Sequence, residues 1–288
     1  MDYRPSRLTS EGVEPSPHAH VIEPGHNWSF VDVGELWRSR ELLYLLIWRD
    51  LKVRYKQTFL GVSWIFLQAA LATAVFSVFF SRMSGSSTDA LPYPVFAMAG
   101  VVPWLLFANG VTGGTTSLVA NEQLVRRVYF PRYLIPLGAV LSGLVDSALG
   151  LLLLIGLALF YGVAPSASWL CLPFILLLCA ITTTAIAAIL AALNVRFRDV
   201  QHVTPFFTQI LLFLSPVVYA ADVLTQPWRT VYTLNPLVGV IEAMRWALAG
   251  GASPPLLSLA LTVVITLALL TGGSVFFRRM ERQFADII

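Results

Sequence analysis

Six long apolar runs, each close to the length of a bilayer crossing, constrain this chain more than anything else in it. They lie at Thr58–Ser81, Tyr93–Leu118, Tyr133–Tyr161, Trp169–Leu193, Val203–Tyr219 and Pro254–Phe277. A spanning helix needs about 20 mainly apolar residues. In lipid, every backbone polar group must be satisfied within a helix or a closed barrel. Period-2 alternation is absent, so the runs read as helices rather than barrel strands. Composition agrees: 57% of residues are hydrophobic and 12% charged, with a mean hydropathy of +0.73. Soluble domains carry roughly twice that share of charge. The expected fold class is an all-α integral membrane protein with six transmembrane helices.

Six crossings put both termini on one side. Sixteen of the 19 lysines and arginines fall on that side and three (Arg82, Arg229 and Arg245) on the other. The positive-inside rule makes the termini cytoplasmic. No signal-peptide-like apolar stretch precedes the first run, so no cleaved leader is expected. The net charge of +3 is then the cytoplasmic rim of a membrane protein, not a nucleic-acid footprint.

Three segments divide the chain. Residues 1–33 are polar and proline-containing and read as a cytoplasmic tail. Its His18, His20 and His26 lack acidic or cysteine partners, so no metal site is expected. Residues 34–56 read as an amphipathic helix lying in the headgroup plane. Leu36, Leu43, Ile47 and Leu51 repeat on one face, with Arg38, Glu41, Arg49, Lys52 and Lys56 opposite. Residues 57–288 form the six-span domain. Between runs five and six, Ala220–Gly251 is too long and too apolar for an ordinary loop. Pro227 and Pro236 break it, which suggests two half-helices dipping back toward the membrane. Such broken helices persist only where they face protein or a water-filled cavity.

Little in the chain suggests catalysis. There is no G-x-x-x-x-G-K-[ST] phosphate loop, and no HExxH, GxSxG or CxxC. The protein is expected to be no enzyme and to bind no cofactor of its own. Cys171 and Cys179, eight residues apart on one helix, sit about 12 Å apart, too far for a disulfide. Asp146 is the clear acidic residue inside a span. It reads either as a transport group or as a packing group with a partner such as Ser142 or a residue on another span. The basic residues Arg49, Lys52, Arg54 and Lys56 anchor to anionic lipid at about 1 kcal/mol each, or recognise a diphosphate headgroup. The aromatics Trp64, Phe66, Phe76 and Phe80 in run one, and Phe206, Phe207, Phe213 and Tyr219 in run five, read as packing or lipid-facing side chains. Alternatively they form a stacking surface for sugar rings. Glu242 and Arg245, spaced i,i+3, read as a local ion pair.

Four stretches in order carry a resemblance: ELLYLLIWRDLKVRYKQTFLG (Glu41–Gly61), VRRVYFPRYLIP (Val125–Pro136), SPVVY (Ser215–Tyr219) and LNPLVGVIEAMRWAL (Leu234–Leu248). Together they resemble the ABC-2 polysaccharide-export permeases. These are the membrane half of O-antigen and capsule exporters, with relatives in teichoic-acid export. The resemblance implies a dimer of this chain in the bacterial inner membrane, with two copies of a separate ATPase subunit that bind ATP and magnesium. It makes Asn121, Glu122, Arg126, Arg127 and Tyr129 the coupling segment that meets the ATPase. It implies that runs one and five line an aromatic channel. It makes Ala220–Gly251 periplasmic gate helices, with Trp228, Tyr232, Glu242 and Arg245 as gate residues. The implied substrate is a glycan on undecaprenyl diphosphate, entering near Arg49, Lys52, Arg54 and Lys56. An ABC-2 exporter of a drug or small lipid is the alternative.

Overall fold

The computed structural model describes residues 33–56, 61–80, 91–128, 130–220, 232–251 and 253–287. Residues 1–32, Tyr129 and Trp228 lie outside them, and with them nearly all of the tail, one coupling residue and one gate residue. So does 221–231, the first half of the expected gate.

Among the described residues ten α-helices follow in order: α1 (Val33–Arg38), α2 (Arg40–Lys56), α3 (Ser63–Phe80), α4 (Tyr93–Ala120), α5 (Glu122–Arg127), α6 (Leu134–Phe160), α7 (Leu172–Arg196), α8 (Val200–Phe213), α9 (Pro236–Ala249) and α10 (Leu256–Ile287). A short 3-10 turn, Ala167–Cys171, leads into α7. Among the described residues, five helices are long and apolar enough to cross a membrane: α3, α4, α6, α7 with its lead-in turn, and α10. The expected interface helix 34–56 is broken at Ser39 into α1 and α2.

Run five departs from the expected full-length helix. Helix α8 has 14 residues, about 21 Å, and stops at Phe213 although apolar residues continue to Tyr219. Pro216 explains the stop: it has no N–H to donate and biases Ser215 away from helical geometry. The chain nonetheless travels the depth of the bundle. Near its start, the Gln201 amide donates to the Asn194 side chain at 3.1 Å, and Asn194 donates to the Thr115 carbonyl at 3.1 Å. Near its end, the Tyr93 hydroxyl donates to the Val218 carbonyl at 2.8 Å. Tyr93 and Thr115 lie near opposite ends of α4, about 33 Å apart along its axis.

Helix α4 is the hub, packed against α3, α6, α7, α8 and α9. Small residues allow this closeness, as expected where apolar burial cannot drive association. A Cβ on Gly110 would sit 2.6 Å from the Thr183 methyl, and one on Gly114 would sit 2.6 Å from the Ala187 Cβ. Hydroxyls in the spans bond carbonyls of their own helix, as Thr115 does to Val111 at 2.7 Å. Thr182 also reaches Thr266 at 2.7 Å, tying α7 to α10. A second core lies at the end of the bundle that carries α5. There Leu46, Leu118, Val125, Tyr133, Phe277 and Phe284 pack together. Arg132 donates to the Glu281 carbonyl at 2.8 Å and closes that end.

Candidate functional site

The expected functional residues gather at two ends of the bundle. At one end, α2 lies along the start of α6. Its Leu43 and Leu46 meet Gly138, where an added Cβ would stand 3.4 Å from the Leu46 Cβ. That packing rotates Trp37, Arg38, Tyr44, Trp48, Lys52 and Lys56 outward, exposed. Arg49 turns toward α5: its Nη1 donates to the Asn121 side-chain oxygen at 2.7 Å, and its Nη2 pairs with Asp50 at 2.8 Å. Asn121 is held by its own amide donating to the Ser117 carbonyl at 2.8 Å. Interface helix and expected coupling segment are thus joined by a direct hydrogen bond.

Helix α5 is oriented by Val125, which is buried in the second core. Arg126 and Arg127 consequently face outward. Glu122 and Arg126 form an i,i+4 ion pair at 2.9 Å. A pair this exposed contributes little to stability.

At the far end of α2 the chain reaches into the bundle. Arg54 pairs with Asp146 on α6 and extends its Nη2 toward Ser142 at 3.5 Å. The Tyr55 hydroxyl donates to the other Asp146 oxygen at 2.6 Å. Asp146 therefore takes its partners from the interface helix, not directly from Ser142 or another span. Burial, reinforced by the adjoining carboxylate, pushes the Tyr55 hydroxyl up to about 12, so it stays a donor at physiological pH. Beside this cluster is a cavity of about 670 Å³ between α2, α3, α4 and α6. Its walls include Trp64, Gln68, Asn109 and Thr112. The cluster draws on residues expected for two separate purposes. The legible signal for its polar walls was Gln68, Asn109 and Asp146 standing inside apolar runs.

Of the basic run, Arg49 and Arg54 are held by other side chains. Lys52 and Lys56 form no hydrogen bond or ion pair among the described residues.

The aromatic lining is divided. Trp64 borders the cavity. Phe66 is half-buried, and Phe76 and Phe80 pack edge to face at 6.3 Å against the α4 core. On α8, Phe206, Phe207 and Phe213 are exposed and border no part of that cavity. Tyr219 is half-buried, donates to the Phe213 carbonyl at 2.8 Å and accepts from the Tyr232 hydroxyl at 2.9 Å.

At the opposite end, the expected Glu242–Arg245 ion pair is not formed. Arg245 is buried, and its guanidinium bonds three carbonyls: Phe96 at 3.3 Å, Tyr219 at 3.1 Å and Val217 at 2.9 Å. It also lies 3.5 Å from the centre of the Phe96 ring, a close cation–π contact. The reason is hydrogen-bond supply. Past Phe213 the chain leaves helical geometry, and carbonyls freed there need donors where water is scarce. A planar guanidinium with five N–H groups meets that need, and the carbonyls draw it away from the local carboxylate, which can only accept. Glu242 instead accepts from the Ser258 hydroxyl at 2.5 Å, joining α9 to α10.

The sequence that builds these parts is similar to that of known proteins over most of its length. Residues 41–249 match the family model described as ABC-2 type transporter. The chain belongs to that family. It is similar to the O-antigen export system permease protein RfbA of Myxococcus xanthus, at 30% identity over 261 residues, which covers 89% of this chain and 98% of that protein. A protein of the same description from Klebsiella pneumoniae is 28% identical over 249 residues, covering 86% and 95%. The polysialic acid transport protein KpsM of Escherichia coli is 24% identical over 242 residues, covering 84% and 93%. The similarity to each runs nearly the full length of the relative. As an ABC-2 chain, this is a multi-pass membrane protein of the transport class.

Proposed function

We propose that this chain is the permease subunit of an ATP-driven exporter that moves polysaccharide, carried on undecaprenyl diphosphate, outward across the bacterial inner membrane. Two copies of the chain form the passage. Two copies of a separate ATPase subunit, which hold ATP and magnesium, dock beneath Asn121–Arg127. Both termini are cytoplasmic. The observation that carries this reading is the full-length similarity to O-antigen and polysialic acid permeases, which share a polymeric glycan cargo. The structure adds support in kind: an outward-facing basic helix, α5, is bonded through Asn121 to the interface helix. Exposed aromatics on α3 and α8 offer faces on which a neutral glycan can slide without tight binding at any point.

The test is direct isolation. The protein purified from its native host in mild detergent, with its partners attached, is expected to carry an ABC ATPase and a glycan on a polyprenyl diphosphate, both identified by mass spectrometry. Recovery of a small amphiphile and no lipid-linked glycan would move the assignment to a drug or small-lipid exporter.

A further inference from the structure

The cavity between α2, α3, α4 and α6 has mainly apolar walls that carry a few polar side chains. Gln68 of α3, Asn109 and Thr112 of α4 and Asp146 of α6 border it, and Arg54 and Tyr55 close it from α2. Polar side chains at membrane depth that face a cavity mark a place where something polar is received. About 670 Å³ lies within the roughly 300–1,000 Å³ of small-molecule sites. Among the residues that border it, Arg54 is the one cation and Asp146 the one anion.

One nitrogen of the Arg54 guanidinium already holds an anion, the Asp146 carboxylate, while the other reaches toward the Ser142 hydroxyl at 3.5 Å. A carboxylate and a phosphate present similar oxygens to the same planar fork. Asp146 is not left bare if that fork is withdrawn, because the Tyr55 hydroxyl holds its second oxygen at 2.6 Å. Arg54 is close to half exposed, at 44% of its side chain, so its pairing is reachable rather than sealed.

We infer that Asp146 is a built-in stand-in for the phosphate of an incoming head group: the phosphate takes the Arg54 fork from Asp146, and Tyr55 keeps the displaced carboxylate. The inference rests on the proposed export of a diphosphate-linked glycan, and adds how loading is sensed. Exchange leaves the end of α2 tied to α6 through Tyr55 alone, free to shift about that one bond, while Leu43 and Leu46 still hold its middle against Gly138. Arg49 lies about 7.5 Å back along the same helix. Its bond to Asn121 carries a shift of α2 to the segment where the ATPase docks.

Binding to the full-length chain in lipid nanodiscs tests this, with farnesyl diphosphate and inorganic diphosphate as probes. Asp146→Asn removes the internal competitor and is expected to bind farnesyl diphosphate about fivefold more tightly than the unaltered protein, the worth of a partly exposed ion pair. Arg54→Gln is expected to lose binding. A folded Asp146→Asn protein that binds no tighter, or no binding of either probe to the unaltered protein, overturns the inference. Preference for farnesyl diphosphate identifies a lipid-borne head group. Equal binding of inorganic diphosphate identifies the anion alone as the ligand, and the exchange stands in both cases.

A second measurement avoids altering the pair. Spin labels at exposed Val53 and Val145 are expected to move apart when farnesyl diphosphate is added, and an unchanged distance overturns the exchange. Neither experiment reads export. Failure of the export reading in cells therefore remains distinguishable from failure of the exchange.

Discussion

Arg54 and Arg245 place the same side chain in two opposed settings. Arg54 stands at the rim, close to half exposed, opposite a carboxylate on another helix. Arg245 is buried and opposite backbone carbonyls, with Phe96 against its face. A carboxylate is a partner that another anion can replace. Three backbone carbonyls, one on α4 and two in the turn beyond α8, are fixed in the fold and are not. One arginine is therefore built for exchange and the other for permanence. They mark the end of the bundle that responds and the end that holds shape.

The largest effect should come from breaking the permanent one. Arg245→Ala leaves the Val217 and Tyr219 carbonyls short of a donor and opens a gap beside Phe96. At about 1–3 kcal/mol for each buried unsatisfied group, the change should cost at least about 2 kcal/mol and depress thermal unfolding in detergent sharply. A protein that unfolds like the unaltered one would show that water reaches this end. Next comes Gly100→Ala, in the same region. Its Cβ would meet the Val217 carbonyl oxygen at 2.5 Å, so α4 and the turn after α8 must separate. Overpacking of this kind costs about 1–3 kcal/mol, again read by thermal unfolding. The smallest effect belongs to the rim. Asp146→Asn keeps a partner for Tyr55 and loses only a partly exposed ion pair, a change of about 1 kcal/mol or less. A large loss of stability there would erase the contrast and make Arg54 a structural pin.

The same contrast explains what could be read in advance. The apolar run Tyr93–Leu118 marks the second helix, Tyr93–Ala120, almost to its ends, because length and apolarity are local properties. In the fifth run mostly apolar residues beyond Phe213 predict a helix through Tyr219. What stops it is the backbone chemistry of one proline, which hydropathy does not register. Glu242 and Arg245 have the spacing of a local pair. The groups that claim the guanidinium are Phe96, on α4, and Val217 and Tyr219, beyond α8, distant in sequence and invisible to spacing. Asp146 announced that it needed a partner, but not that the partners would come from the interface helix. Gly61, at a φ of +50°, marks where the chain turns from that helix toward α3. In a membrane protein, crossings are written in composition. Polar pairings are written in the fold.

The central claim, that this chain exports a lipid-linked polysaccharide, is tested most directly in a strain of its native host that lacks the protein. Long-chain glycan at the cell surface is measured beside the lipid-linked glycan inside. The account predicts that surface glycan disappears, that the lipid-linked form accumulates in the inner membrane, and that the unaltered chain supplied in trans restores both. Long-chain glycan reaching the surface at the usual level without this protein would contradict it.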